Sequence, residues 1–194
     1  MKYSARSAGG FTLIELMVTV SLAAILMAVA VPSVNTFVRN SELTSFTNTL
    51  LSGINAARGE AMKRGRYAMV VPADGASWDS GWIVFVDVDR SNAYAAASDI
   101  TILTSEPKPS YLTITGNGTA SGSTPYILYD ASGYSKTTAG AFGASTFEIT
   151  RNDVSGTELL SQTRRLKIAS TGRARVCTPK TASDTTCSAT STSF

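Results

Sequence analysis

The fold of this chain is decided by Gly9-Gly10-Phe11-Thr12-Leu13-Ile14-Glu15-Leu16-Met17, which opens an apolar run that ends at Val31. As one helix, these roughly 21 residues are about 30 Å long, the thickness of the hydrocarbon core of a bilayer. Lys2 and Arg6 precede the run, so the positive-inside rule places the N-terminus in the cytoplasm. The sequence therefore predicts a membrane-held N-terminal helix with the rest of the chain outside.

The Gly9-Gly10 pair precedes the apolar run, whereas a secretory signal has its cleavage site after that run. Cleavage at the pair would keep the hydrophobic helix on the mature chain. This arrangement resembles the prepilin leader of type IV pilins and type II secretion pseudopilins. The resemblance implies that prepilin peptidase removes residues 1–10 by cutting after Gly10, and that Phe11 is then N-methylated. Residues 11–34 would form a transmembrane or filament-core helix.

Glu15 is the one acidic side chain in the apolar run. A carboxylate near the bilayer centre costs about 2.5–3.5 kcal/mol on insertion scales, which favours a functional role over an interfacial position. One helical turn separates Glu15 from Phe11, whose freed amine would be positive. The resemblance implies that Glu15 pairs with the N-terminal amine of a neighbouring subunit during filament assembly. Such a buried ion pair would contribute register as well as stability.

Pro32 interrupts the apolar run, and we expect a kink rather than an end because the helical pattern resumes after it. We assign Pro32, like Glu15, to assembly. Apolar residues then recur at spacings of three and four: Leu43, Phe46, Leu50, Ile54, Ala57 and Ala61. The sequence predicts one helix from Phe11 to about Arg64, with Gly65 as its C-cap.

After the helix, the apolar period changes to two and turn residues appear about every ten positions. The predicted strands are Tyr67–Val71, Trp82–Val88, Ile100–Leu103, Tyr111–Thr115, Tyr126–Tyr129, Thr146–Arg151, Arg165–Ala169 and Arg173–Cys177. We therefore expect an α+β fold, with the long helix packed on an antiparallel β-sheet and residues 35–194 forming one periplasmic or extracellular domain. This is the fold that a pilin resemblance implies.

The segment Trp78–Asp87 resembles a signature of the GspH/FimT family of minor pilins and pseudopilins. For Trp78 and Trp82 we prefer a role in filling the core, with ligand stacking as the alternative. The resemblance covers the leader, the long helix, this strand and the C-terminal hairpin, and leaves residues 90–160 without a match.

The segment Asp87–Asn92 has oxygen-bearing side chains at alternating positions, as a calcium loop does. It lacks the glycine turn and the distal bidentate Glu of an EF-hand, and Arg90 places a cation inside the loop. We predict a polar turn with Asn92 at the bend, and no metal or other cofactor.

Charge and composition argue against an enzyme. The formal charge of +3 falls to +1 without residues 1–10, so the net charge does not indicate a partner. The chain has no histidine, which excludes Ser-His-Asp and Cys-His nucleophile systems and imidazole metal sites. Its acidic residues are scattered singly rather than paired for acid–base chemistry.

Cys177 and Cys187 lie in the part of the chain predicted to be exported. Two thiols in that compartment form a disulfide more often than a metal site. Closing this loop of about 11 residues would stabilise the fold by roughly 2.5–3 kcal/mol on the chain-entropy model.

The C-terminal region is strongly basic. Residues 164–180 contain no acidic side chain and six basic ones: Arg164, Arg165, Lys167, Arg173, Arg175 and Lys180. Strand alternation places Arg165 and Lys167 on one face, and Arg173 and Arg175 together on the next strand. The turn Ser170-Thr171-Gly172 would join the two strands, so a cationic strip on a hairpin is expected.

Gly172-Arg173-Ala174-Arg175 resembles the Gly-Arg-X-Arg motif of FimT-type minor pilins. The resemblance implies DNA capture in natural transformation, with Gly172, Arg173 and Arg175 as DNA-binding residues. The basic charge of the region adds Lys180 to this set. Arg165 and Lys167 are further candidates. The alternatives are a solvated strand face that protects a sheet edge from aggregation, or another anionic ligand.

Together these features predict a minor type IV pilin, a structural subunit of the initiation or tip complex of a pilus. Before assembly it would cross the inner membrane once, with its C-terminal domain in the periplasm. The expected partners are prepilin peptidase, other major and minor pilins through the N-terminal helix, and DNA. The alternative is a minor H-type pseudopilin of a type II protein secretion system.

Overall fold

The structure is a computed structural model that describes residues 10–190, without the side chains of residues 29–33. Except for Gly10, the predicted leader lies outside the described residues. Backbone contacts divide the chain into two compact units, Met1–Ser41 and Glu42–Phe194.

One helix, α1, spans Leu13–Arg64. It continues through Pro32, so the predicted continuity is confirmed, while the kink stays a prediction. Gly65 follows with φ of +63°, and the Arg66 amide donates to the Ala61 carbonyl at 3.2 Å, which confirms the predicted C-cap. Within residues 10–190, no helix is both long enough and apolar enough to cross a membrane.

Nine strands lie in the described part of the chain: β1 Tyr67–Pro72, β2 Trp82–Asp87, β3 Ile100–Thr104, β4 Leu112–Gly116, β5 Ile127–Tyr129, β6 Ser135–Lys136, β7 Ser145–Arg151, β8 Thr163–Ile168 and β9 Ala174–Cys177. All eight predicted strands are present. The sequence did not predict β6 or the short helix α2, Glu158–Ser161, because neither is long enough to show a period.

The strands form two antiparallel sheets rather than the single sheet expected from the sequence. One has the order β3-β2-β1-β5-β6 and the other has the order β4-β7-β8-β9. Pro107 and Pro109 lie between β3 and β4, where the chain leaves the first sheet. A proline has no backbone N–H to donate to a neighbouring strand, so neither sheet extends through this segment.

The core of the second unit lies between α1 and the sheets. On the helix, Leu43, Leu50, Ile54, Ala57 and Ala61 are fully buried, so the predicted apolar stripe is confirmed. Both tryptophans belong to this core, as predicted. Trp82 is fully buried, and Trp78 donates its indole N–H to the Ala120 carbonyl at 2.9 Å.

Candidate functional site

The predicted basic hairpin is formed by β8 and β9, and β9 is an edge strand of its sheet. Lys167 lies opposite Arg175 in the ladder. The turn between the strands is closed by two backbone hydrogen bonds, from the Ala169 amide to the Arg173 carbonyl at 2.9 Å and from the Gly172 amide to the Ala169 carbonyl at 2.8 Å. We call residues 169–173 the cationic turn.

Gly172 fixes how the cationic turn is docked. Its φ is +79°, and a Cβ added there would overlap the Gly133 carbonyl oxygen and lie 3.0 Å from Nε of Arg58. Arg58 donates Nε–H to the Gly133 carbonyl at 2.9 Å and Nη2–H to the Thr171 carbonyl at 3.3 Å. The Tyr129 hydroxyl donates to the Gly172 carbonyl at 3.3 Å. Only glycine fits here, because the backbone is left-handed and tightly enclosed.

Two of the predicted DNA-binding side chains, Arg173 and Lys180, are exposed. Arg173 lies in the cationic turn, and Lys180 lies three residues beyond the end of β9. Both remain accessible to a large anion.

Arg165 and Lys167 are not exposed, so the expectation that they form part of a solvent-facing strip is wrong. Arg165 is 8% exposed and Lys167 is fully buried. Arg165 donates Nε–H to Glu148 Oε2 at 2.6 Å and Nη1–H to the Cys187 carbonyl at 2.6 Å. The alternation itself is confirmed, because Leu166 and Ile168 face the core. The opposite face is covered by residues that follow β9.

Arg175 is half-buried rather than solvent-facing as expected. Its Nη2–H donates to the Thr186 carbonyl at 2.6 Å. The guanidinium therefore holds the covering segment, residues 178–190, which we call the C-terminal tail. Arg165 holds the same tail from the neighbouring strand.

The predicted Cys177–Cys187 disulfide is present and closes the C-terminal tail onto β9. Within the tail, Asp184 accepts hydrogen bonds from the amides of Lys180, Thr186 and Cys187. These donors, the Lys180 amide first, hold the pKa of the Asp184 carboxyl well below its usual range. Farther along, Asn117 Nδ2 donates to the Ala189 carbonyl at 2.7 Å. The tail is thus a fixed part of the fold.

Lys167 is fully buried beneath the C-terminal tail. Its ammonium nitrogen has no hydrogen-bond partner among residues 10–190. Burial lowers the pKa of Lys167, and the positive charges of Arg175 and Arg165 lower it further. The side chain therefore costs stability when it is protonated.

At the other end of the chain, Glu15 forms a capping box with Thr12. Its Oε2 accepts from the Thr12 amide at 2.8 Å and from the Thr12 hydroxyl at 2.8 Å, while its own amide donates to that hydroxyl at 3.2 Å. The carboxylate is thereby held against Thr12 at the first turn of α1. Our sequence interpretation missed Thr12, although Thr-x-x-Glu before an apolar run is a recognised signal.

The segment after β2 folds as the predicted polar turn. Asp87 accepts from the amides of Ser91 and Asn92, each at 3.1 Å, and Asn92 has φ of +60°. The structure also brings Asp99, which the sequence did not link to this segment, close to Asp87 and Asp89: carboxylate oxygens of the three lie within 4.8 Å of one another. Burial raises the pKa of the Asp87 carboxyl.

Comparisons with known proteins define the class. The model of the prokaryotic N-terminal methylation motif matches residues 5–31, and that of the family "Type II transport protein GspH" matches residues 47–172. With a long N-terminal helix packed on antiparallel sheets, the chain has the architecture of a type IV pilin. It belongs to the GspH family, whose model matches more than half of the chain.

Among solved structures, the fold is similar to that of the type IV minor pilin FimU of Pseudomonas aeruginosa strain PAO1 in space group P21. The two chains are 19% identical, with a TM-score of 0.52, over 75% of this chain and 98% of that one. A crystal of FimU in space group P65 gives 18% identity and a TM-score of 0.48, over 74% and 96% of the two chains. No curated protein matches the chain in sequence.

Proposed function

We propose that this chain is a minor type IV pilin, a structural subunit of the initiation or tip complex of a pilus. Prepilin peptidase would cut after Gly10 and methylate Phe11. The observation that carries this proposal is the N-terminal methylation motif at residues 5–31, which includes the first part of a 52-residue helix. Before assembly, residues 11–34 would hold the subunit in the inner membrane with its C-terminal domain in the periplasm.

The exposed apolar side chains of α1, and of Phe11 just before it, support an assembly role. Phe11 is 90% exposed, Leu13 77% and Phe37 74%, so this apolar surface needs a cover of lipid or of neighbouring pilin helices. The capping box holds Glu15 at the start of α1, where the carboxylate would meet the N-terminal amine of a neighbouring subunit. Pro32 removes one helical hydrogen bond from this part of α1, and we assign it a role in fitting the helix to the filament.

The hairpin supports a second activity, sequence-independent DNA binding. Gly172 shapes the cationic turn, Arg173 and Lys180 present exposed charges, and Arg175 positions the tail beside them. A surface of this kind contacts phosphates, which carry no base information. We therefore expect similar affinities for duplexes of unrelated sequence. Arg165 and Lys167 are buried and do not belong to this surface.

Salt dependence tests the DNA proposal on the purified full-length chain in mild detergent. Each phosphate contact to duplex DNA contributes about 0.9 to the log–log salt slope. Arg173→Gln should make the slope shallower by about that amount. Arg90→Gln is the matched control, because it removes the same charge from an exposed site in the polar turn after β2, outside the hairpin, and should leave the slope unchanged. Absence of salt-dependent binding, or equal slopes for Arg173→Gln and the parent chain, would contradict the proposal.

A minor H-type pseudopilin of a type II secretion system is the second candidate, favoured by the description of the matching family. The two functions are separated by deleting the gene in its native host. A pilin deletion should reduce surface pili or DNA uptake and leave exoprotein secretion intact. Loss of secretion with normal pili would favour the pseudopilin.

A further inference from the structure

Two exposed aromatic side chains lie beside the cationic turn, and neither the fold nor the filament role accounts for them. Phe142 is 62% exposed and Tyr134 is 42% exposed. Their ring centroids are 5.6 Å apart in an edge-to-face arrangement. The ammonium of Lys136 lies 3.8 Å from the centroid of the Phe142 ring. We call Tyr134, Lys136 and Phe142 the aromatic patch.

The aromatic patch is held on a rigid hairpin. Lys136 pairs with Phe142 in an antiparallel bridge, and the Gly143 amide donates to the Ser135 carbonyl at 2.9 Å. The connecting turn is closed by the Thr137 amide, which donates to the Ala141 carbonyl at 2.8 Å. Phe142 is therefore presented in a fixed position, so little ordering entropy opposes binding to it.

The same hairpin adjoins the cationic turn. The Ser135 amide donates to the Ser170 carbonyl at 3.1 Å, and Gly133 packs against Gly172. Arg58 bridges the two segments through the carbonyls of Gly133 and Thr171. The aromatic patch and Arg173 therefore belong to adjacent, fixed segments.

The charge of this surface favours an anion. Arg58, Lys136 and Arg173 contribute three cations, and Asp130 contributes an acid, whose Oδ2 lies 3.8 Å from the Lys136 ammonium. Exposed aromatic rings interleaved with cations are typical of surfaces that bind single-stranded nucleic acid, where bases stack on rings and phosphates meet the charges. A duplex keeps its bases stacked internally and cannot use the rings in this way.

We infer that the aromatic patch and the cationic turn together bind single-stranded DNA, with an unpaired base stacked on Phe142 and the flanking phosphates next to Lys136 and Arg173. This inference rests on the proposed DNA binding by the hairpin and names the form of DNA that the same surface prefers. Stacking supplies affinity without sequence preference, because every base has a flat face.

The test compares a fluorescein-labelled 20-nucleotide oligo-dT strand with a 20-base-pair duplex, by fluorescence anisotropy on the full-length chain in detergent. The parent chain should bind the single strand more tightly. Phe142→Ala should weaken single-strand binding by about 5- to 150-fold, as loss of one stacked base predicts, with little effect on the duplex. Phe142→Tyr keeps the ring and should retain affinity.

Two controls separate stacking from charge and from folding. Phe142→Ala should leave the salt slope for the single strand unchanged, whereas Lys136→Gln should make it shallower by about 0.7. Leu159→Ala removes a side chain that is 37% exposed on α2, beyond the opposite end of β8, and should change neither affinity nor slope. The melting temperature of each variant checks that it is folded.

The outcomes distinguish this inference from the proposed function. If duplex and single strand bind and Phe142→Ala matches the parent chain, the inference is wrong while DNA binding stands. The inference also fails if Phe142→Ala blocks incorporation into pili but not single-strand binding, since the patch would then contact another subunit. If neither form of DNA binds, the proposed DNA binding fails and the inference fails with it.

Discussion

Gly172 offers a sharp test of how the hairpin is positioned, because Gly140 provides a matched control. Both glycines are left-handed, with φ of +79° and +85°, but a Cβ on Gly140 would meet nothing within 4 Å. Left-handed backbone alone costs an L-residue about 1–2 kcal/mol, so Gly140→Ala should destabilise the fold by that amount. Gly172→Ala carries the same cost and also displaces the Gly133 carbonyl and Arg58.

The additional cost follows from the hydrogen bonds that this displacement breaks. The two bonds from Arg58 are charge-assisted, and such bonds contribute about 1.5–3 kcal/mol each. Losing one of them brings the total for Gly172→Ala to about 2.5–5 kcal/mol. For a chain of this length, 1 kcal/mol shifts the melting temperature by about 2–4 °C, so the two variants should differ by roughly 3–12 °C.

The assay is thermal unfolding of the full-length chain in detergent, followed by the fluorescence of the buried Trp78 and Trp82. Equal melting temperatures for Gly172→Ala and Gly140→Ala would refute the claim that the cationic turn is docked through Gly172. Gly172→Ala should also weaken DNA binding, because it moves the turn that carries Arg173.

Three further predictions concern buried charge, the tail and assembly. Lys167→Met should raise the free energy of unfolding at pH 7 by about 1–4 kcal/mol, because it removes an unpartnered buried ammonium. Since the pKa of Lys167 is lowered from 10.5 in the folded chain, the unfolded chain binds more protons near pH 9–10. The stability advantage of Lys167→Met over the parent should therefore shrink as pH rises through this range. Thermal unfolding of both proteins at pH 7 and pH 10 measures this, and a variant that is less stable than the parent at pH 7 would contradict the account. Cys177→Ser should lower the free energy of unfolding by about 2.5–3 kcal/mol while the core stays folded. It should also expose Lys167 to an amine-reactive label, which mass spectrometry detects. Equal labelling of parent and variant would show that the disulfide does not hold the tail. Glu15→Val should still be cleaved after Gly10 yet be depleted from sheared pili, and normal incorporation would count against pairing of Glu15 with a neighbouring amine.

The sequence predicted the helix and the strands because their apolar periods are long and regular. The stripe from Leu43 to Ala61 shows an uninterrupted helical spacing, and all of β1 to β5 and β7 to β9 lie at the predicted places. It did not predict the division into two sheets, because strand order depends on pairing between distant segments rather than on local pattern. The two-residue strand β6 leaves no periodic signal at all.

For the candidate site, the sequence identified the residue types but not their exposure. The alternation of side chains along β8 correctly predicted that Arg165 and Lys167 lie on the face opposite the core. The sequence interpretation then assumed that this face is exposed to solvent, which is wrong. The C-terminal tail covers that face through backbone carbonyls that accept from Arg165 and Arg175. Carbonyl acceptors are the same for every residue, so no pattern in the tail could have predicted this cover. The sequence interpretation also missed the aromatic patch. Tyr134 and Phe142 are separated in the sequence, and only the folded hairpin brings their rings together.

The central claim is that the chain is processed as a prepilin and becomes part of a filament. The most direct measurement is mass spectrometry of its N-terminal peptide in the sheared surface-filament fraction of the native host. The account predicts a peptide that begins at Phe11 with a methylated amine, and a Gly10→Val variant that is absent from this fraction and keeps residues 1–10. A filament-associated protein with an N-terminus other than Phe11, or a wild-type chain that is never found in filaments, would contradict it.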